Sequence, residues 1–169
     1  MNHMGTSSIQ TERLLLRRLV FNDAQALFAL EKIGKTLDEA KEILCNMMAD
    51  YPNMSYYHWG IEYEGVIVGR IKAHNISDTN ENMELGYSMA GDYRNKGIMT
   101  EAISAVIKHL LQEVMANRVY VMIRTNNIAS NRVAQKAGMI LDGCLREHFR
   151  DGDAYADVNV YSTIRKDLM

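Results

Sequence analysis

Proline occurs once in the 169 residues, at position 52, and cysteine twice, at positions 45 and 144. One proline leaves no proline-rich linker to divide the chain, and no repeat or low-complexity tract interrupts it. Cys45 and Cys144 lie far apart without His or Cys neighbours at metal-ligand spacing. They therefore read as reduced structural thiols, and no metal site is expected. Net charge is also scarce: 19 Lys and Arg against 21 Asp and Glu give −2. No overall field recruits nucleic acid or an anionic membrane, so any preference for phosphate has to be local. No apolar run reaches transmembrane length, and residues 1–10 lack the apolar core of a signal peptide, so the expected location is cytoplasmic. The length suits one domain over residues 1–169, with residues 1–10 expected to be flexible.

What is present is a succession of short periodic segments. Residues 12–19 alternate as a strand, and Asn22 and Asp23 then cap a helix whose apolar positions are Ala24, Leu27, Phe28 and Leu30. Thr36 with Glu39 three residues on forms a capping box before Ala40, Ile43, Leu44 and Met47, a second helix that stops before Pro52. These two helices are expected to form a movable flap. Residues 57–63, a turn at Glu64 and Gly65, residues 66–73, a polar loop at 77–82 and residues 83–89 predict three antiparallel strands. His58 and Trp59 are consecutive, so strand alternation buries one and exposes the other. Residues 118–125 predict a fifth strand, 129–137 a short helix, and two final strands flank Asp151 and Gly152. The expected fold class is α/β (α+β): a mixed, mostly antiparallel sheet of six to seven strands flanked by about four helices.

The most informative stretch is 93–101, Tyr-Arg-Asn-Lys-Gly-Ile-Met-Thr-Glu, where a basic, glycine-bearing turn leads into an amphipathic helix. The first N–H groups of a helix lack intrahelical acceptors, and the helix dipole adds partial positive charge there. Arg94 and Lys96 add full charges, and Gly97 lets a phosphate approach the backbone. Ile98, Ala102, Ala105, Val106 and Leu110 continue an apolar stripe at helical spacing. The turn lies at the carboxyl end of the 83–89 strand, where ligands settle in α/β sheets.

Over nearly the whole chain these residues resemble the GNAT superfamily of acyl-CoA-dependent N-acetyltransferases. Arg94, Gly97 and Met99 stand in the places of that family's pyrophosphate motif, with Met99 replacing the usual Gly or Ala and narrowing the approach, so the cradle is expected to rest more on Lys96, Gly97 and Thr100. Residues 127–139 are similar to its second cofactor motif. Glu84, Gly86 and Tyr87, then Thr100, Glu101 and Ala102, then Asp157, Tyr161 and Ser162, resemble the branch that contains RimJ and RimL, whose members acetylate N-termini of ribosomal proteins.

The resemblance implies acetyl-CoA as co-substrate, with Tyr87, Ser88, Met89, Arg94, Asn95, Lys96, Gly97, Ile98, Met99, Thr100, Asn127, Asn131 and Arg132 as its contacts. It implies that segment 87–90 pairs with the pantetheine arm while a backbone N–H near Met89 polarises the thioester carbonyl. Glu84 is the first candidate for the base, against a bound water as base or an exposed strand glutamate pairing with a neighbouring cation. The family's acidic tyrosine is replaced by Ala134, so Ser130 is the candidate acid, against helix capping by Ser130 or Asn127. Tyr51, Tyr56, Tyr57 and Tyr155 are candidates to border the acceptor site. The implied reaction is direct transfer of acetyl to a primary amine, either a protein N-terminus of ribosomal type or a small amine such as a polyamine, antibiotic or amino acid. A non-catalytic acetyl-CoA sensor is the third reading. Self-association through the edge of the last strands stays open.

Overall fold

The computed structural model describes residues 1–168. Its strands are β1 (Ile9–Gln10), β2 (Leu14–Arg17), β3 (His58–Tyr63), β4 (Val66–Ser77), β5 (Asn82–Met89), β6 (Arg118–Arg124), β7 (Ile140–Asp151) and β8 (Ala154–Ile164). The helices are α1 (Ala24–Glu31), α2 (Leu37–Ala49), α3 (Ile98–Gln112) and α4 (Ile128–Lys136). Hydrogen-bonded neighbours follow the order β1-β2-β3-β4-β5-β6-β8-β7. The sheet thus has eight strands rather than six to seven. One addition is the two-residue β1, which pairs Ile9 with Leu16 and is too short to show a period in sequence.

Two compact units divide the chain, and β4, β5 and α3 each contribute to both. The first comprises residues 3–74 and 86–106. Here β2 and β3 pair antiparallel, as do β3 and β4. The β3–β4 hairpin closes on Glu64 and Gly65, both left-handed at φ 51° and 79°, the two-residue turn whose twist matches flanking strands. Leu19, Ala24, Leu27, Leu44 and Ile67 form a core cluster beneath α1 and α2. His58 and Trp59 are both buried, contrary to simple alternation: the His58 N–H donates to Thr6 Oγ1 at 2.9 Å and Trp59 Nε1 to the Ser7 carbonyl at 2.7 Å, so the segment ahead of β1 packs on this end of β3.

The entry into α1 also differs in detail from the sequence reading. Asp23 does not cap the helix with its side chain. Its carboxylate accepts from the Val20 N–H and from both terminal nitrogens of Arg17, which also donates to Glu62 through Nε at 2.6 Å. Ahead of α2, Thr36 caps as expected by accepting the Glu39 N–H at 3.1 Å. The Glu39 carboxylate reaches one residue further back than a capping box requires, to the Lys35 N–H at 2.6 Å.

The second unit comprises residues 1–2, 75–85 and those from Ile107 onward. Its strands begin with a parallel β5–β6 pair, Asn82 opposite Arg118 through Glu84 opposite Tyr120. Antiparallel β6–β8 and β7–β8 pairs follow, so β8 lies between β6 and β7. The final turn is at Gly152 and Asp153, with Asp151 still in β7. Val119, Val121, Ile123, Val158 and Tyr161 are buried here, whereas Ile140, Leu141 and Leu145 on the edge strand β7 are exposed.

Candidate active site

In the first unit, β5 delivers Tyr87, Ser88 and Met89 to a short 3₁₀ turn, Gly91–Tyr93, which leads into the basic turn. Asn95 at φ 61° and Gly97 at φ 76° are both left-handed, conformations that Asn and Gly tolerate best. Alternating backbone hands of this kind turn N–H groups into an anion-binding concavity. The Gly97 carbonyl accepts the Glu101 N–H at 3.0 Å, so α3 begins there and the N–H groups of Ile98, Met99 and Thr100 have no acceptor within the helix. Arg94 folds back to the Met89 carbonyl through long hydrogen bonds of 3.3 and 3.4 Å. The Lys96 ammonium lies 5.1 Å from the centroid of the Tyr93 ring, an attractive cation–π placement. Met99 and Ile98 are buried, so the thioether of Met99 fills core rather than standing over the turn.

Glu101 occupies the first turn of α3, where its negative charge opposes binding of an anion. The structure offsets that charge. Arg13 donates to the Glu101 carboxylate through Nε at 2.7 Å and through its backbone N–H at 3.0 Å, and Thr11 Oγ1 donates to it at 2.6 Å. Burial alone would raise the Glu101 pKa, but these hydrogen bonds more than reverse it and hold the carboxyl below its ordinary range. Arg13 also donates to the Lys96 carbonyl at 3.1 Å, and a Cβ at Gly97 would meet its guanidinium at 3.4 Å. This clasp was absent from the sequence reading. Its one sequence signal is the acid in the first turn of a helix that follows a basic turn, a charge that calls for a cation nearby.

In the second unit, Glu84 is buried on β5 rather than exposed, and its carboxylate accepts from Asn75 Nδ2 at 2.7 Å. Its neighbour across the parallel pair is Tyr120, whose hydroxyl is raised in pKa by burial and then by the Glu84 charge. The helix cap of α4 is Asn127, whose Oδ1 accepts the Ser130 N–H at 3.2 Å, so capping is not the task of the half-buried Ser130 hydroxyl. Asn127 and Arg132 are exposed.

Asn131 departs from the cofactor role implied by resemblance. It is buried, and both ends of its amide are spent inside the protein. Nδ2 donates to the Arg124 and Asn127 carbonyls at 3.0 and 2.8 Å, and Oδ1 accepts from Asn159 Nδ2 and the Tyr161 hydroxyl at 2.8 and 3.1 Å. It braces α4 against β6 and β8, which gives the 157–162 motif a physical task. The amide satisfies buried donors and acceptors that would otherwise be costly.

The tyrosine candidates separate in the same way. Tyr57 is fully buried and stacks on Trp59 with centroids 5.8 Å apart. Tyr51 is buried too, donating to the His58 carbonyl and accepting the Leu19 N–H, both at 2.9 Å. Tyr56 is half-buried with its hydroxyl 3.0 Å from His58 Nδ1, and Tyr155 is exposed on β8. Tyr51 and Tyr57 hold structure, which leaves Tyr56 as the partly accessible phenol among the three candidates of that unit.

Among the described residues no group of three or more His, Cys, Asp or Glu side chains is placed to hold a metal ion, and no helix is long and apolar enough to cross a membrane.

Known proteins share both the sequence and the architecture. YoaA of Bacillus subtilis (strain 168), an uncharacterized N-acetyltransferase, is 28% identical over 172 residues, covering 93% of this chain and 96% of YoaA. The ribosomal-protein-serine acetyltransferase of Escherichia coli (strain K12) is 36% identical over 101 residues, covering 60% of this chain and 56% of that protein. The solved structure of RimL, a ribosomal L7/L12 alpha-N-protein acetyltransferase in complex with coenzyme A, superimposes with a TM-score of 0.83 at 21% identity, covering 94% of this chain and 98% of that one. The family model for the acetyltransferase (GNAT) domain matches residues 13–140, well over half of the sequence. The chain belongs to the GNAT acetyltransferase domain family and is an N-acetyltransferase.

Proposed function

We propose that residues 1–169 act as a single, cytoplasmic, acetyl-CoA-dependent N-acetyltransferase that transfers acetyl directly to a primary amine at a protein N-terminus. The observation that carries the cofactor reading is the turn at 94–97. Left-handed Asn95 and Gly97, the acceptor-free N–H groups of Ile98, Met99 and Thr100, and the charges of Arg94 and Lys96 make a concavity that fits a pyrophosphate. Acetyl-CoA bound there supplies an acyl group activated as a thioester. The residues Tyr87, Ser88 and Met89 then offer backbone groups to the cofactor arm. A backbone N–H near Met89 donates to the thioester oxygen as negative charge develops on it.

Proton movements need two further groups. Glu84 is the proposed base, held by Asn75, and takes a proton from the attacking nitrogen directly or through water. Ser130 is the proposed donor to the departing sulfur, its position fixed because Asn127 anchors its backbone N–H. Arg132 and Asn127, both exposed beside Ser130, are placed in this reading on the cofactor, and Asn131 Nδ2 holds the Asn127 carbonyl. A protein N-terminus as acceptor is supported by the match to the Escherichia coli ribosomal-protein-serine acetyltransferase.

The test is thiol release from acetyl-CoA with a panel of peptide N-termini and small amines, against an acceptor-free control. Selective turnover of peptides is the expected outcome. Selective turnover of small amines discards the substrate class and keeps the chemistry, and acetyl-CoA binding with no acceptor-dependent release makes the protein a sensor.

A further inference from the structure

Three polar side chains from three separate elements meet beside the proposed thioester segment, all within the first unit. Ser88, exposed on β5, donates its hydroxyl proton to Glu31 Oε2. Glu31 is the last residue of α1, and its side chain is only 3% exposed. Arg70 on β4 donates through Nε to both Glu31 oxygens, at 3.1 and 3.3 Å. The backbones of β4 and β5 are in close contact here. A Cβ at Gly69 would come within 2.6 Å of the Ser88 carbonyl, and the Ala90 N–H donates to the Val68 carbonyl at 2.9 Å.

The Arg70–Glu31 ion pair is enough to balance the buried charge and to tie α1 to β4. Ser88 adds something that pair does not need. A serine hydroxyl has one proton to donate and two lone pairs to accept with. Because the proton is committed to a carboxylate in a charge-assisted bond, the solvent side of Ser88 can only accept. It welcomes an N–H and turns away a carbonyl or carboxylate oxygen. The residue next to it is Met89, whose surroundings are proposed to polarise the thioester carbonyl.

Resting on the acetyl-transfer reading, we infer that Ser88 receives the acceptor amine: its outward lone pair takes one N–H and sets the nitrogen lone pair toward the thioester carbon. Glu31 and Arg70 are positioning residues that fix the direction of the Ser88 hydroxyl. In the transfer itself a C–N bond forms and the C–S bond breaks. The nitrogen gives its proton to the base and the sulfur gains one from the acid. Ser88 exchanges no proton. It orients the nucleophile, and its hydrogen bond strengthens as the nitrogen becomes positive in the transition state.

The experiment uses the full chain with Ser88→Ala, Glu31→Gln and Ser88→Thr, acetyl-CoA, and two acceptors, a synthetic peptide with a free N-terminal serine and spermidine. CoA release is measured against acceptor concentration and separately against acetyl-CoA concentration. Ser88→Ala and Glu31→Gln are expected to lower kcat/KM for the amine by about tenfold, the ~1.4 kcal/mol equivalent of one hydrogen bond, with KM for acetyl-CoA hardly changed. Ser88→Thr, which keeps the hydroxyl, is expected to restore most of the loss. A Ser88→Ala variant with wild-type kcat/KM for the amine overturns the inference and leaves the transferase reading intact, and so does one whose loss lies in acetyl-CoA KM. Wild-type protein that binds acetyl-CoA but releases no CoA with either amine overturns both.

Discussion

Burial holds the His58 imidazole far below its ordinary pKa, from 6.5 to about 3, and the nearby charges of Arg70 and Lys72 push in the same direction. Folded protein therefore keeps His58 neutral while the unfolded chain takes up a proton as pH falls through 6.5. Between that value and about 3 the unfolded state binds the extra proton, so stability rises with pH across this window and is lost on acidification. The expected loss attributable to His58 between pH 7 and pH 5 is about 2 kcal/mol. Denaturant unfolding at both pH values checks it: His58→Gln should lose about that much less than wild type on acidification, and parallel losses would mean that His58 is not held neutral. Glu84 carries a kinetic prediction at the same scale. Glu84→Gln keeps an oxygen for Asn75 to donate to but cannot accept a proton. Turnover at neutral pH should fall several-fold with a changed pH–rate profile, and an unchanged profile removes Glu84 from the mechanism.

At the scale of elements, the loop before β2 and the start of α3 are joined by Arg13, Thr11 and Glu101. Arg13→Ala leaves Glu101 with Thr11 and the backbone N–H of residue 13 but without its cation, and frees the Lys96 carbonyl. KM for acetyl-CoA should rise on the order of tenfold, the weight of a lost charge-assisted hydrogen bond. The check is acetyl-pantetheine, which lacks the pyrophosphate: its KM should not move, and an equal rise for both substrates would show that Arg13 acts on the fold and not on the turn.

Elements of this kind were legible in sequence where the determinant is local. The Thr36 cap, the turn at Glu64 and Gly65 and the helix after Gly97 each follow from a few adjacent residues, and each is present. The basic turn at 94–97, with left-handed Gly97, was legible for the same reason. Arg13 with Glu101 and Ser88 with Glu31 were not, because the partners are 88 and 57 residues apart and neither period nor propensity encodes who meets whom. Asn131 shows the converse. Resemblance made it a cofactor contact, but the packing of β8 turns its amide inward to Asn159 and Tyr161.

For the whole molecule, a ligand that binds only the native state must raise its stability by mass action. Acetyl-CoA at about 100 times its dissociation constant should add about 2.7 kcal/mol, a rise in Tm of roughly 5–10 °C for a chain of this size. Thermal unfolding with and without acetyl-CoA measures it, and an unmoved Tm at saturating concentrations would sink the cofactor assignment.

The position of β8 between β6 and β7 also sets a timetable. As the chain emerges from a ribosome, β6 and then β7 are made with no strand to pair with each other, and both wait for Ala154–Ile164. Until then the growing polypeptide carries the open edge of β6 and a wholly unpaired β7, the kind of surface that attracts other chains. One late event pairs both with β8, and the outer edge of β7 stays open. A nascent chain stalled before residue 154, or a product truncated within β8, should consequently be a poor folder and a ready client for chaperones, even though the turn at 94–97 is already complete in it.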